Sequence, residues 1–201
     1  MNFIAITGSN FSKRSNFAKA FSAMTGIDMI ASVPYLSIAS KYKLDTEISK
    51  CEWPDSYAYC LGAFTQRIIV EQKYEESYIS DGSVFNELCW LKCRYPHMDL
   101  IYERSMIRCL ENVIVDYALN EYDFIFHITS NDPSDLVDQC LRQLYLHRNI
   151  KHHVIDATNG EEALNQMLDH LQIKPLLSAK YSLLKFTKDF LLNNETHENS
   201  N

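Results

Sequence analysis

The fold of this 201-residue chain is decided by the stretch FIAITGSNFSKRSNFA at residues 3–18. It opens with a short apolar run, which predicts a β-strand over 2–7 that is buried on both faces. Gly8 breaks the run, a polar loop follows, and a helix is predicted over 15–25. A strand, a loop that begins with glycine and a helix N-terminus together turn backbone N–H groups toward one point, and this arrangement favours an anion.

The loop resembles the phosphate-binding pattern G-x-x-x-x-G-K-[ST], with two departures. Gly8 and Ser15 hold the first and last positions, whereas Lys13 replaces the second glycine and Arg14 replaces the lysine. Arginine keeps its charge and can bind a phosphate through two N–H groups. The alternative is a structural turn with a serine cap and two solvated basic residues. The residues predicted to contact phosphates are Gly8, Ser9, Asn10, Ser12, Lys13, Arg14, Ser15 and Asn16.

The composition is that of an ordinary globular protein, with 46% hydrophobic and 22% charged residues. The length suits one α/β domain, predicted over 1–192, with a polar, disordered tail over 193–201. A net charge of −7 argues against a protein that binds nucleic acid by neutralising phosphates. No apolar run approaches the ~20 residues of a membrane span. The N-terminus lacks the pattern of a secretory signal, so a cytoplasmic protein is expected.

The six cysteines lie mostly in apolar helical patterns and are expected to be reduced packing residues. Cys89, Cys93 and His97 follow one another at helical spacing, which would allow a metal site. No second pair of ligands at zinc-like spacing accompanies them, so the sequence does not favour that alternative.

Strands are predicted to alternate with helices along the whole chain. The strands are expected at 2–7, 28–31, 78–81, 123–128 and 152–156, and the helices at 15–25, 55–75, 83–94, 99–119, 134–148, 160–173 and 179–193. Residues 35–52 are expected to form a loop with a short helix. This alternation predicts an α/β fold with a parallel five-stranded sheet and helices on both faces.

Ligands of such folds bind beyond the carboxyl ends of the strands. Gly8, Asp81, the turn over 130–132 and Asp156 all lie at the carboxyl ends of predicted strands. Their convergence at one edge predicts a site there.

The order and spacing of these segments resemble a group of P-loop kinases. The resemblance rests on residues 4–8 with 14–15, and on 78–83, 122–126 and 153–156, and it covers about 1–172. The group is similar to the ribosylnicotinamide kinase domain of bacterial NAD-biosynthesis regulators and, more distantly, to nucleoside and nucleotide kinases. The resemblance implies a three-layer P-loop NTPase fold. It also implies ATP and Mg²⁺ as cofactors and transfer of the γ-phosphoryl group to a small nucleoside or nucleotide-like acceptor.

Carried over residue by residue, the resemblance assigns roles around the phosphates. Gly8, Arg14 and Ser15 match the phosphate loop, and Asp81 matches the carboxylate after the third strand. In relatives that carboxylate acts near magnesium or the phosphate acceptor, so Ser15 and Asp81 are implied as magnesium ligands. Relatives usually follow the aspartate with arginine, whereas this chain has Gly82, which puts binding of the acceptor in question.

Two further arginines fall where the family places its lid. Arg142 and Arg148 would neutralise charge on the transferring phosphoryl group. With Asp81 they form the catalytic set that the resemblance implies. The alternative is that both are exposed helix charges. The oligomeric state stays open, with a homodimer among the alternatives.

The two departures in the loop and Gly82 leave a second function class open. The same scaffold would then be a nucleotide sensor or an interaction protein without catalysis. An NTPase that needs no small acceptor is a third alternative. The motifs G-x-S-x-G and H-E-x-x-H do not occur in the sequence, so hydrolase chemistry of those kinds has no support.

Overall fold

The computed structural model describes residues 2–32, 35–45, 50–96 and 100–176. Five strands and seven helices follow one another over these residues. In chain order they are β1 (Phe3–Thr7), α1 (Phe11–Thr25), β2 (Asp28–Ile30), α2 (Tyr35–Tyr42), α3 (Trp53–Glu71), β3 (Tyr78–Asp81), α4 (Val84–Arg94), α5 (Ile101–Glu121), β4 (Phe124–Ile128), α6 (Leu136–His147), β5 (His153–Ile155) and α7 (Gly160–Leu171).

The described strands form one parallel sheet in the order β2-β3-β1-β4-β5. Side chains of β1 alternate between its two faces, as the pleat requires. Ala5 packs with α3, α4, α5 and α6, whereas Ile4 and Ile6 pack with α1 and α7. Helices therefore cover both faces, and the predicted α/β architecture with a parallel five-stranded sheet is confirmed.

The central position of β1 brings the ends of three strands together. Ile6 pairs with Asp81 of β3, and Thr7 pairs with His127 of β4. The residues that follow β1 therefore lie between the carboxyl ends of β3 and β4, which is the edge where the sequence predicted a site.

The start of α1 differs from the prediction. The helix begins at Phe11, one turn before the predicted Ser15, because the Asn10 side chain caps it by accepting a hydrogen bond from the Lys13 N–H at 2.8 Å. The polar loop is therefore reduced to residues 8–10, and Ser12 to Ser15 are helical.

Other differences are smaller. Part of the stretch 35–52 forms α2, and α3 ends at Glu71 rather than near residue 75. Among the described helices, none is long and apolar enough to cross a membrane. The predicted helix over 179–193, the predicted tail over 193–201 and His97 lie outside the described residues.

Candidate functional site

The turn after β1 is held from several sides. Gly8 has a φ of 151°, and a Cβ there would lie 2.7 Å from the Ile128 carbonyl oxygen at the end of β4, so only glycine fits. Its own carbonyl oxygen accepts hydrogen bonds from Asn86 Nδ2 at 2.8 Å and from Arg14 Nη1 at 3.1 Å. Ser9 Oγ donates to Asp135 Oδ2 at 2.5 Å. The turn is therefore fixed to β4, α1, α4 and the start of α6.

Beside this turn, a cation, a hydroxyl and a carboxylate are in direct contact. Arg14 Nε donates to Asp81 Oδ1 at 3.0 Å, and Ser15 Oγ donates to Asp81 Oδ2 at 2.5 Å. Ser32 Oγ lies 3.3 Å from the same Oδ2. Arg14 and Asp81 are only 5% and 3% exposed, so their charges compensate each other in a place that holds little water.

The oxygen atoms at this point are of the kind that a hard divalent cation takes. A serine hydroxyl and a carboxylate fit Mg²⁺, which usually keeps several waters and binds through one or two protein carboxylates. Within the described residues, no cluster of three or more His, Cys, Asp or Glu side chains could hold a metal ion. A cation at Ser15 and Asp81 would therefore need further ligands from a phosphate group or from water.

Gly82, directly after Asp81, lies in a tight space and in a backbone conformation that other residues rarely adopt. Its φ is 92°, and a Cβ there would lie 3.1 Å from Arg67 Nη2 and 3.3 Å from Arg14 Cζ. Two guanidinium groups thus flank the glycine. The space that an arginine at position 82 would enter is already occupied by the arginines of α1 and α3.

Arg67 lies in the middle of α3, where the sequence alone suggests solvent exposure, but its side chain is buried. Its side chain is 1% exposed. Nη1 donates to Ser80 Oγ at 2.7 Å, and its guanidinium lies 3.8 Å from Glu71 and 3.9 Å from Glu87. The carbonyl oxygens of Asp81 and Gly82 lie 3.5 Å from its N–H groups.

Glu71 completes this buried network. Its carboxylate accepts hydrogen bonds from Ser80 Oγ at 2.7 Å, from Tyr117 at 2.8 Å and from Tyr122 at 3.1 Å. Burial raises the pKa of Glu71, and Arg67 together with the three hydroxyl groups offsets only part of this effect. The network lies behind the site and supports the end of β3.

A second series of hydrogen-bonded side chains lies under the turn, next to β4. Thr7 Oγ1 contacts His127 Nδ1 at 3.1 Å, and His127 Nε2 contacts Asp138 Oδ1 at 2.9 Å. Arg142 Nε donates to Asp138 Oδ2 at 2.6 Å. Although burial opposes it, hydrogen bonds from His127, Arg142 and the Ser130 N–H lower the pKa of Asp138 to about 2. His127 is thus a hydrogen-bonded core residue, and Arg142 is anchored near the site.

The remaining predicted residues are placed as follows. Lys13 is half-buried, and burial lowers its pKa while the carboxylate of Asp156 partly offsets this. Asn16 is half-buried on α1, and the side chain of Ser12 is outside what the structure describes. Arg148 lies at the far end of α6, about 18 Å from its first residue, where it pairs with Glu111 of α5 at 2.7 Å. The structure does not bring Arg148 to the turn.

Sequence reasoning missed Asn86 and Asp135, which hold the turn from α4 and α6. Both left a local signal. Ser83 and Asn86 form a capping box at the start of α4, and Asp135 caps α6 by accepting from Val137 and Asp138 N–H groups. The caps could be read from the sequence, whereas their second contacts to Gly8 and Ser9 depend on tertiary structure.

Several solved structures have the same fold as this chain. Deoxyadenosine kinase from M. mycoides with bound dATP superposes with a TM-score of 0.64 and 14% identity, over 86% of this chain and 100% of that chain. The same kinase with bound dCTP gives a TM-score of 0.59 at 14% identity, over 84% and 98%. The NadR protein in complex with NAD and AMP-PNP gives 0.56 at 13% identity, over 86% of this chain and 50% of that chain.

No protein-family model matches the sequence, and no curated protein matches it significantly. The solved structures show that the chain has the three-layer fold of P-loop kinases, and the resemblance stated from the sequence is confirmed to that extent. This chain spans half of the NadR chain.

Proposed function

We propose that this protein binds ATP·Mg²⁺ at the turn between β1 and α1 and transfers the γ-phosphoryl group to a small nucleoside or nucleotide-like acceptor. One observation carries the proposal. Arg14, Ser15 and Asp81 are in contact at the carboxyl edge of β1 and β3, beside the N-terminus of α1. They supply a cation for phosphate and oxygen ligands for magnesium, next to a helix end that favours negative charge.

Binding requires Arg14 and Asp81 to exchange partners. A buried charge that loses its partner costs several kcal/mol, so separating the pair without replacement would be unfavourable. ATP·Mg²⁺ offers a phosphate to the guanidinium and a divalent cation to the carboxylate. Each group therefore keeps an opposite charge throughout, and the ion pair of the ligand-free protein stands in for the contacts of the bound state.

The residues then have separate tasks in the transfer. Arg14 and the first turn of α1 hold the phosphates, and Ser15 and Asp81 position the cation. Arg142, which is 45% exposed and hydrogen-bonded to Asp138, is proposed to turn toward the transferring group. Catalysis of phosphoryl transfer depends mostly on such positioning and on stabilising charge. Arg148 has no part in this scheme.

A second candidate is a nucleotide-binding protein without transferase activity. Two observations favour it. The turn comprises only residues 8–10, so Ser12 and Lys13 are helical instead of extending around a phosphate. Gly82 also stands where relatives carry an arginine, and the guanidinium groups of Arg14 and Arg67 crowd that position. Either difference could remove turnover while the fold persists.

Thermal unfolding with ATP, with and without MgCl₂, tests binding first. Saturation at about 100 times Kd stabilises the folded protein by about 2.7 kcal/mol, which is measured as a rise in Tm. We expect a magnesium-dependent rise in the wild type and in Lys19→Met, which replaces an exposed lysine on the same helix. We expect no rise in Arg14→Met. A rise of equal size in Arg14→Met would contradict the proposed site.

Formation of ADP with a panel of nucleosides and nucleotides then separates the candidates. ADP formed only with an acceptor, together with a phosphorylated acceptor in the mass spectrum, supports the kinase. Binding without ADP supports the sensor. ADP formed at the same rate without any acceptor supports an NTPase.

A further inference from the structure

Three cysteine thiols meet where α4 packs against α6. Cys89 and Cys93 lie one turn apart on α4, and Cys140 lies on α6. All three are free thiols. Cys93 Sγ lies 3.1 Å from the Leu136 carbonyl oxygen in the first turn of α6, one helical turn before Cys140. Cys140 packs against the core cluster that contains Cys89. The cluster therefore bridges two helices.

The three thiols are chemically different. Hydrogen bonds from Cys89 and Cys93 lower the pKa of Cys140 to about 3, burial opposes this, and the ammonium group of Lys92 adds to the lowering. The same hydrogen bonds, with burial, raise the pKa of both donors, Cys89 and Cys93. These contacts favour the thiolate form of Cys140, and the thiolate is the form of cysteine that reacts with oxidants.

Access from solvent distinguishes the two donors. Cys89 is fully buried at 0% exposure, whereas Cys93 and Cys140 are half-buried. A small oxidant can therefore reach the thiols of Cys140 and Cys93, but it cannot reach the thiol of Cys89. Within the described part of the chain, no group of three or more His, Cys, Asp or Glu side chains is arranged to hold a metal ion. Redox chemistry therefore suits the three thiols better than metal binding.

We propose that Cys140 and Cys93 form a peroxide-sensitive dithiol centre that closes a disulfide bond between α6 and α4. The Cys140 thiolate attacks hydrogen peroxide, an S–O bond forms as the O–O bond breaks, and hydroxide leaves. Cys93 then attacks the sulfenic acid, an S–S bond forms as the S–O bond breaks, and the thiol proton leaves with the second hydroxide as water. Two thiols and one peroxide give one disulfide and two waters.

The position of this centre relates it to the turn after β1. α4 carries Asn86, which binds the Gly8 carbonyl oxygen, and the α6 cap Asp135 binds Ser9. A bond between the two helices would join the two elements that hold this turn. The chemistry of the thiols does not depend on the proposed kinase function, and the experiment below can succeed or fail by itself.

Oxidation of the 201-residue protein with hydrogen peroxide, followed by alkylation and mass spectrometry, tests the proposal. We expect the wild type to lose two hydrogen atoms, with a peptide that links Cys93 to Cys140 under non-reducing conditions. The oxidised protein should melt at a higher temperature, because a cross-link restricts the unfolded chain, and dithiothreitol should reverse the shift.

Three variants serve as comparisons. Cys140→Ser and Cys93→Ser should form no intramolecular disulfide, and both replace half-buried thiols, so circular dichroism is expected to show an unchanged fold. Cys109→Ser, at an exposed thiol of α5, should be oxidised like the wild type. A wild type that retains all its thiols, a link between Cys89 and Cys93, or full disulfide formation in Cys93→Ser would overturn the proposal.

Discussion

Two arginine–carboxylate pairs lie on either side of Gly82, and they have different surroundings. Arg14 contacts Asp81 and one carbonyl oxygen at the edge of the sheet. Arg67 contacts Glu71, Ser80, Glu87 and two carbonyl oxygens in the interior. We call them the edge pair, Arg14 with Asp81, and the inner pair, Arg67 with Glu71.

The two pairs differ in whether a ligand could replace the contact between the arginine and the carboxylate. The edge pair stands beside a helix N-terminus, where an anion and a cation can enter together and take over each contact. The inner pair is closed in by Ser80, Tyr117 and Tyr122, which satisfy the carboxylate from three directions. The same chemical pair can thus serve for binding in one place and for structure in the other.

Removing the inner cation should give the largest loss of stability. Arg67→Met leaves Glu71 buried without its cation, and breaking a buried pair on one side costs about 3–5 kcal/mol. Urea unfolding followed by circular dichroism measures this change in the free energy of unfolding. Arg67→Met combined with Glu71→Leu should recover a large part of it, because no charge is then left unpaired. A loss below about 1 kcal/mol in the single variant would mean that the inner pair is not structural.

Arg14→Met, which removes the cation of the edge pair, should lower the free energy of unfolding less than Arg67→Met does. Unlike Arg67→Met, it should abolish the binding of ATP. Arg14→Met leaves one carboxylate, Asp81, without its cation, whereas Arg67→Met leaves two, Glu71 and Glu87. We therefore expect a smaller loss, of about 3 kcal/mol. The magnesium-dependent rise in Tm with ATP should disappear, while it should persist in any folded variant of the inner pair. If Arg14→Met costs as much stability as Arg67→Met and keeps the ATP response, the comparison between the two pairs fails.

The fold was largely predictable because it depends on local patterns. Short apolar runs predicted all five strands, three of which end at a glycine or a carboxylate, and their alternation with helices predicted the parallel sheet. The start of α1 was missed because Phe11 to Ser15 contains no strong helix signal, and only the Asn10 cap fixes the boundary. A polar loop and the first turn of a polar helix look alike in sequence.

The sequence predicted only those residues of the site whose positions are determined by the ends of strands. Gly8 and Asp81 lie at the carboxyl ends of the neighbouring strands β1 and β3, so their proximity and the contact between Asp81 and Ser15 follow from topology. The burial of Arg67 could not be predicted, because its partner Ser80 and the tyrosines around Glu71 come from distant elements. The position of Arg67 in the middle of α3 does not show whether its side chain faces solvent or a buried carboxylate.

A matched pair of serine variants sharpens the comparison. Ser80→Ala removes the hydroxyl that accepts from Arg67 and donates to Glu71, and it should cost about 1–2 kcal/mol. Ser15→Ala removes one donor to Asp81 and should cost less than Ser80→Ala in urea unfolding. In the ATP experiment the order should be reversed, with the magnesium dependence lost in Ser15→Ala and kept in Ser80→Ala. Equal behaviour of the two variants in both measurements would contradict separate roles.

The smallest expected effect is a difference in pH dependence. Burial raises the pKa of Glu71 above its ordinary value of 4.5, so the folded state holds this proton more tightly than the unfolded chain. Its contribution to stability is complete below pH 4.5 and is lost as the pH rises through the folded-state pKa. From pH 4 to 7 the wild type should therefore lose stability relative to Glu71→Gln, as measured by urea unfolding at each pH.

Glu111 provides the control of opposite sign. Although burial opposes it, hydrogen bonds and charge from Lys92 and Arg148 lower the pKa of Glu111. Its contribution is present above pH 4.5 and is lost as the pH falls toward the lower folded-state pKa, so the wild type should gain stability relative to Glu111→Gln as the pH rises. The two differences should have opposite slopes because burial dominates at Glu71, which is 0% exposed, whereas the contacts with Lys92 and Arg148 dominate at Glu111, which is 15% exposed. Parallel slopes would mean that the interior around Glu71 is wetter than the contacts of the inner pair imply.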